Sequence, residues 1–234
     1  MEQDGLVPLY EQVRRKILSE IKTGHLAERS FLPPEPELCA TYGVSRITLR
    51  RAVSELCAEG WLIRQQGRGT LVAPRKMRQT ISLSGFSEVV ESQGRRAGHR
   101  ILERKDGVDA SAIAARLEAA RLVRFTRLLE VDGHPMTLEE LYFDADRFAK
   151  ALAPVEAGES FFATLRDVYH VTSAGAERLI DVGFARPSEA AGLGVSTTEP
   201  VYRIEKIVLD ENSRPLALSH LVTPCHLVTL TVKN

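Results

Sequence analysis

Arg46 and Arg50 stand four residues apart, with Thr48 between them, inside the run Gly43 to Thr70, GVSRITLRRAVSELCAEGWLIRQQGRGT. On an α-helix that spacing places the two guanidinium groups one turn apart. A guanidinium is a planar fork of donors that meets O6 and N7 of guanine through two hydrogen bonds, so two forks in the first turns of a helix can read bases in a major groove. A further cation, Arg68, sits between Gly67 and Gly69. At a protruding tip such a residue reaches phosphates or a minor groove closely, where bulkier neighbours would hold the backbone away. The six histidines (His25, His99, His134, His170, His220 and His226) and three isolated cysteines (Cys39, Cys57 and Cys225) form no nucleophile-base or metal-ligand pattern. No catalytic residue, metal or cofactor is therefore expected.

The elements that must carry these side chains are legible around them. Ser45 is a good N-cap, and Leu49, Ala52, Val53 and Leu56 recur at helical spacing as one buried stripe. The opposite face is centred near Ile47 and Ser54 and carries Arg50 and Arg51, with Arg46 and Thr48 at its edges. Upstream, a helix begins at Pro8, shows the apolar stripe Tyr10, Val13, Ile17 and Ile21, and ends at Gly24. A short helix near residues 36–42 follows, and Gly43 supplies a left-handed turn. Downstream, runs 61–65 and 70–73 flank Gln66, Gly67, Arg68 and Gly69 as a hairpin. Helix, helix, reading helix and β-wing in that order make a winged helix-turn-helix.

A winged helix needs only about a third of 234 residues, and 44% hydrophobic content supports two cores. The chain is expected to divide into a DNA-binding domain at 1–74, a linker at 75–80 and a second domain at 81–234. Net charge is zero overall, but residues 1–78 hold 13 Lys and Arg against 9 Asp and Glu, whereas the remainder holds 18 against 22. The positive excess belongs to the front module, which implies local, salt-sensitive phosphate contacts. No apolar run approaches the roughly 18 residues of a membrane span, and MEQDGLVPLY is unlike a signal peptide, so a cytoplasmic protein is expected.

Beyond the linker, strand patterns fall at residues 100–105, 123–131, 136–143, 176–184, 201–209 and 216–223, with turn signals at Asp132-Gly133 and Asn212-Ser213. Helices are predicted at 86–92, 110–119, 160–169 and 187–193. Neither regular strand-helix-strand alternation nor a glycine-rich phosphate loop is present, so an α+β fold with a mainly antiparallel sheet follows.

PLYEQVRRKILSEIKTGHL followed by GVSRITLRRAVSELCAEGWLIRQQGRGT resembles the DNA-binding domain of the GntR family of bacterial transcription regulators over residues 8–73. The resemblance implies that Arg46, Thr48, Arg50 and Gly69 contact the operator. With Ser45, Arg51, Gly67 and Arg68 they make up the expected DNA-reading set. One departure stands out: the family's Leu-Pro-Ser-Glu-Arg is here LPPEP at Leu32 to Pro36. Pro34 replaces the serine cap, worth about 1 kcal/mol, and Pro36 replaces an arginine that commonly touches DNA. Pro36 is expected to delay the helix start and to disfavour α geometry at Glu35.

The second half resembles the UTRA effector domain of the HutC subfamily, a chorismate lyase-like fold, through GFSEVVESQG, RLLEVDGHPMTLEELYF, SFF and DENSRPLALSH. The resemblance implies that Phe86, Ser87, Arg127, Glu139, Ser160 and Phe162 line an effector pocket. His220 on the last hairpin is a further candidate. A helix N-terminus beside an arginine and a hydroxyl suits an anion. Leu129 stands where members that bind sugar phosphates carry a second arginine, and Ala217, Thr223 and Pro224 depart from the usual acidic, tyrosine and arginine residues. A sugar phosphate, a phosphonate or a carboxylate is therefore expected.

One winged helix reads few base pairs, so a homodimer on double-stranded, near-palindromic operator DNA is expected, acting as an effector-controlled repressor. The alternatives are a DNA-linked enzyme using the lyase-like domain and an effector-independent DNA binder.

Overall fold

The computed structural model describes residues 7–65, 67–74, 77–80 and 85–231. The chain divides into two compact units, Met1–Lys76 and Met77–Asn234.

In the first unit, α1 (Leu9–Thr23), α2 (Glu35–Tyr42) and α3 (Arg46–Ala58) precede the antiparallel hairpin of β1 (Leu62–Gln65) and β2 (Gly69–Val72). Val13 and Ile17 of α1 meet Leu38 of α2 and the α3 stripe Leu49, Ala52, Val53 and Leu56, and Leu62 and Val72 of the hairpin close the core. Burying that stripe fixes which face of α3 is left outward. Ser45 caps α3 by accepting the Thr48 amide at 3.3 Å. Contrary to expectation, Pro36 does not delay α2. The helix starts at Glu35 and holds Pro36 in its first turn, where a missing N–H costs no hydrogen bond. Pro34, at the cap position, supplies no side-chain cap.

The second unit is built on a six-stranded sheet in the order β4-β5-β6-β9-β8-β7, with every neighbouring pair antiparallel. The strands are β4 (Ala97–Asp106), β5 (Leu122–Val131), β6 (His134–Asp144), β7 (Gly175–Phe184), β8 (Pro200–Leu209) and β9 (Pro215–Pro224). Asp132 and Gly133 both have positive φ (52° and 78°), as a tight two-residue hairpin between β5 and β6 requires.

Strand alternation sorts the side chains onto two faces. On one, Val123, Phe125, Leu141, Phe143 and Val208 pack against α6 (Leu152–Glu156), α7 (Phe161–Tyr169) and the 3-10 turn Ala149–Ala151. The other is covered by α5 (Ser111–Leu117), through Leu117, Leu122, Tyr142, Ile207 and Leu218, and by α8 (Pro187–Leu193), through Leu128, Ala190, Leu193, Val201 and Val222. The remaining helix, α4 (Phe86–Glu91), seats Val90 against Val131 and Met136 at the end of the sheet.

Met77–Thr80, within the expected linker, is instead a strand, β3, paired in parallel with β10 (Val228–Thr231). Four-residue strands brought together from distant parts of a chain leave little local signal. Of the expected linker, residues 75 and 76 lie outside the described set. No described helix is long and apolar enough to cross a membrane.

Candidate DNA-reading and effector sites

On α3 the outward face carries Ser45, Arg46, Ile47, Arg50 and Arg51, all exposed. Arg46 makes no hydrogen bond or ion pair among the described residues. Arg50 is engaged by Glu35 of α2: Nε lies 3.0 Å from both carboxylate oxygens, and Nη2 lies 2.9 Å from Oε2. The Arg50 hydrogen bond is the chief reason the Glu35 carboxyl sits below its ordinary range. Arg51 turns the other way. Its guanidinium carbon lies 3.7 Å from the centre of the Tyr10 ring, and Nε is 3.5 Å from Glu55, so it braces α3 against α1. Thr48 Oγ1 is 2.9 Å from Ser45 Oγ, which ties both hydroxyls to the cap.

Gly67, Arg68 and Gly69 form the exposed wing tip, with φ of 73° at Gly67 and 115° at Gly69, and the Arg68 guanidinium lies 5.6 Å from the Phe31 ring. Residue 66 lies outside the described set. Two members of this surface escaped sequence reading. Glu35 belongs to it through a contact between two helices, which leaves no periodic trace in the sequence. Ile47, although named on the outward face, is 83% exposed at the start of the helix, where an aliphatic group can meet a thymine methyl.

In the second unit, Arg127 of β5 and Glu139 of β6 are direct cross-strand partners, 3% and 4% exposed, joined by a 2.7 Å hydrogen bond from Arg127 Nε. Burial opposes ionisation of Glu139, but Arg127 and the Ser219 hydroxyl outweigh it and hold the carboxyl below its usual range. The pair leaves a remainder: Arg127 Nη1 is buried and has no hydrogen-bond partner among the described residues. A buried charged donor left unmatched is costly unless something external completes it.

His99 of β4 shares this face. Burial lowers its pKa first, and the neighbouring Arg127 lowers it further, so the ring is neutral near pH 7. Its Nδ1 lies 3.2 Å from the Gly158 carbonyl and its Nε2 3.4 Å from Ser87 Oγ. The carbonyl only accepts, so Nδ1 carries the proton and Nε2 accepts from Ser87. Phe86 flanks the ring at 6.0 Å. Gly158 makes this approach possible, since with φ of 89° a Cβ there would stand 2.7 Å from the His99 carbonyl oxygen.

Ser160 caps α7, accepting the Ala163 amide at 3.4 Å. The next residue, Phe161, stacks on Phe143 of β6 at 4.4 Å, and Phe162 lies under the ammonium of Lys206 at 5.3 Å. The structure thus gathers Phe86, Ser87, Arg127 and Glu139 around His99, and it sets Phe162 on Lys206, while Ser160 heads the helix that supplies Phe162. His99 and Lys206 were missed by sequence reading because strands remote in the chain contribute them.

His220 does not join this group. It lies on the opposite sheet face, with Nε2 3.2 Å from Glu205, Nδ1 3.8 Å from Glu140 and its ring 5.6 Å from Tyr142. Its neighbour Ser219 is the residue that faces Glu139. That opposite face holds a cleft of about 620 Å³, lined by Glu103, Arg124, Glu140, Arg203, Glu205 and His220 among others. Arg124 is matched there by Glu103 and Glu140 and Arg203 by Glu189, and Arg186 is a third arginine in its lining. No described group of three His, Cys, Asp or Glu residues is placed to hold a metal.

The family model for UTRA domains matches residues 92–226, and that for bacterial regulatory proteins of the gntR family matches residues 9–72. The chain is 32% identical to the HTH-type transcriptional regulator YurK of Bacillus subtilis, covering 97% of this chain and 96% of that one. It is 30% identical to a probable fructoselysine utilization operon transcriptional repressor of Escherichia coli, covering 97% and 94%. In fold it is similar to PhnF of Mycobacterium smegmatis, with a TM-score of 0.67 and 24% identity over 95% of this chain and 98% of that one. The relatives are transcription regulators rather than enzymes, and the two-unit order found here is that of the matched families. The chain belongs to the GntR family of bacterial transcription regulators, as a member of HutC type that joins a winged helix-turn-helix to a UTRA domain.

Proposed function

We propose that the protein is a cytoplasmic, homodimeric repressor that reads a near-palindromic operator through Arg46 and Arg50 and releases it on binding a small anion beside Arg127. The observation that carries the effector half is the buried, unmatched Nη1 of Arg127 beside the Glu139 carboxylate. Nη1 offers a charge-assisted donor to an incoming oxyanion, the first turn of α7 offers further donors, Ser87 holds the His99 ring in place through its hydroxyl, and Glu139 accepts from a ligand hydroxyl or amine.

On the DNA side, Arg46 is free to turn into the groove and Arg50 is oriented by Glu35. Arg51 serves chiefly as packing on Tyr10, and the wing tip at Gly67, Arg68 and Gly69 approaches the backbone or minor groove. Ser45 and Thr48 form the cap from which these residues project.

The test selects an operator from random duplex and follows its binding by fluorescence anisotropy. Replacing both Arg46 and Arg50 with alanine should abolish preference for operator over scrambled duplex, at about 1–3 kcal/mol for each lost bidentate contact. Addition of a panel of sugar phosphates, phosphonates and carboxylates should release the wild-type complex, and Arg127→Gln should not respond. Operator selection that survives the double replacement would overturn the reading of α3. Release of Arg127→Gln at wild-type concentrations would overturn the pocket.

A further inference from the structure

Ile47 holds the middle of the outward face of α3. With about 100° between successive residues, Arg50 lies about 60° to one side of it and Arg51 about 40° to the other, and Ser54 follows it two turns along. The Ile47 side chain is 83% exposed, the largest value among the exposed large hydrophobic residues described, and it takes no part in the core that buries Val13, Ile17, Leu49 and Leu56. Both flanking arginines are engaged elsewhere: Glu35 clasps Arg50, and Arg51 lies against the Tyr10 ring and near Glu55. Neither covers the isoleucine. A β-branched residue forms helix less readily than Ala, Lys or Arg, and this one leaves apolar surface in water, so neither the helix nor the core gains from it here.

We propose that Ile47 is a specificity-determining residue that reads the C5 methyl group of a thymine in each half-site. The inference rests on the proposed use of α3 as the reading helix and deepens it. Thymine alone among the four bases presents a methyl group in the major groove, and an aliphatic side chain recognises it by expelling water from both, with no hydrogen bond needed. Ile47 is the second residue of α3, in the turn that reaches deepest into the groove. Its χ1 is already restricted by the helix, so little rotamer freedom is lost on docking. Arg46 and Arg50 call for paired acceptors of guanine, whereas Ile47 calls for a methyl. The thymine should lie about two base pairs from a guanine, because neighbouring positions on a helix face are about 5–6 Å apart and base pairs stack about 3.4 Å apart.

The test uses the full chain and an operator selected from random duplex, with binding followed by fluorescence anisotropy. Each thymine of one half-site is replaced in turn by deoxyuridine, which keeps the pairing edge and O4 and lacks only the C5 methyl. At one of these positions wild type should bind about fourfold more weakly, the value of one buried methyl-sized group. Ile47→Ala should bind the parent operator more weakly than wild type does and show no further loss with deoxyuridine at that position. Exchanging the same T·A pair for 5-methylcytosine·G should cost wild type less than exchanging it for cytosine·G, and Ile47→Ala should not distinguish the two. The melting temperature of Ile47→Ala should match wild type, since the side chain lies in water.

Wild-type affinity that is uniform across the deoxyuridine series, or a selected half-site without thymine, would refute the role of Ile47. A deoxyuridine penalty as large in Ile47→Ala as in wild type would also refute it, by assigning the methyl to another residue. In each of these cases the reading of α3 stands so long as replacing Arg46 and Arg50 with alanine still removes operator preference. Preference that survives in that arginine variant would instead sink the reading helix, and this inference with it.

Discussion

In the proposed reading, the contact between Arg50 and Glu35 serves both folding and base recognition. In the free protein the Arg50 fork is held by Glu35 through three contacts of 2.9 to 3.0 Å. Both side chains are largely exposed, so the pair adds little stability. Its larger effect is to restrict the rotamers of a long side chain that would otherwise lose that freedom on meeting a base. Glu35 also places a negative charge beside the proposed reading residues Arg46 and Arg50. Glu35→Gln is therefore expected to tighten binding to scrambled duplex and weaken discrimination, lowering the operator-to-scrambled ratio several-fold. Anisotropy titrations of both duplexes over a range of salt check this, since the non-specific gain should shrink as salt rises. Unchanged affinities for both would mean that Arg50 is oriented by something other than Glu35. The latch was illegible in the sequence because a contact between residues 15 positions apart on two helices leaves no periodic trace. Arg46, Arg50 and the buried stripe of α3 were legible because all lie on one helix whose 3.6-residue period assigns each a face.

Among the elements, the six long strands and four predicted helices of the second unit could be read from alternation and turn chemistry, whereas which face each strand shows to the effector could not. His220 and Ser219 are neighbours on β9, and one step in register exchanges the face that carries Arg127 for the opposite side of the sheet. There His220 is set between Glu140 and Glu205, and the two carboxylates, Glu140 first, raise its pKa against burial. A raised folded-state pKa makes the contribution complete below the unfolded value of about 6.5 and lost as pH climbs through the folded value. The melting temperature of the second unit should therefore carry a downward slope on the alkaline side of pH 6.5, which His220→Gln flattens. An equal slope in both proteins would remove His220 from that account. The junction at Gly158 is the other position where an element depends on one residue. Gly158→Ala combines left-handed strain with a 2.7 Å approach to the His99 carbonyl, for an expected loss of about 2 to 4 kcal/mol. Gly192→Ala, in α8 with open space at its Cβ, should be neutral or slightly stabilising. Calorimetry of the two variants separates the cost of this contact from a general cost of added methyl groups, and equal melting points would refute it.

At the scale of the whole molecule, control requires the effector unit to influence the reading unit through very little chain. Because Met77–Thr80 is a strand paired with Val228–Thr231, four residues of the linker expected at 75–80 belong to the second unit. A short joint anchored in a sheet transmits a small displacement of that sheet more faithfully than a long flexible one, whose many conformations would absorb it. In the proposed dimer the ligand need only disfavour the operator-competent spacing of the two reading units. A coupling of about 2 to 3 kcal/mol lowers operator affinity some 30- to 150-fold. Lengthening the joint by a flexible Gly-Ser insertion after Pro74 should leave each winged helix folded and able to bind a single half-site as before. It should also let the two units reach the operator whether or not ligand is present, so that the ligand-dependent ratio of affinities collapses toward one. Melting temperatures and ligand affinity should be unchanged, because neither core is touched. The comparison to make is operator affinity with and without saturating effector, in wild type and in the lengthened chain. A lengthened protein that still releases DNA by the full wild-type factor would show that the signal does not travel through the spacing set by this joint.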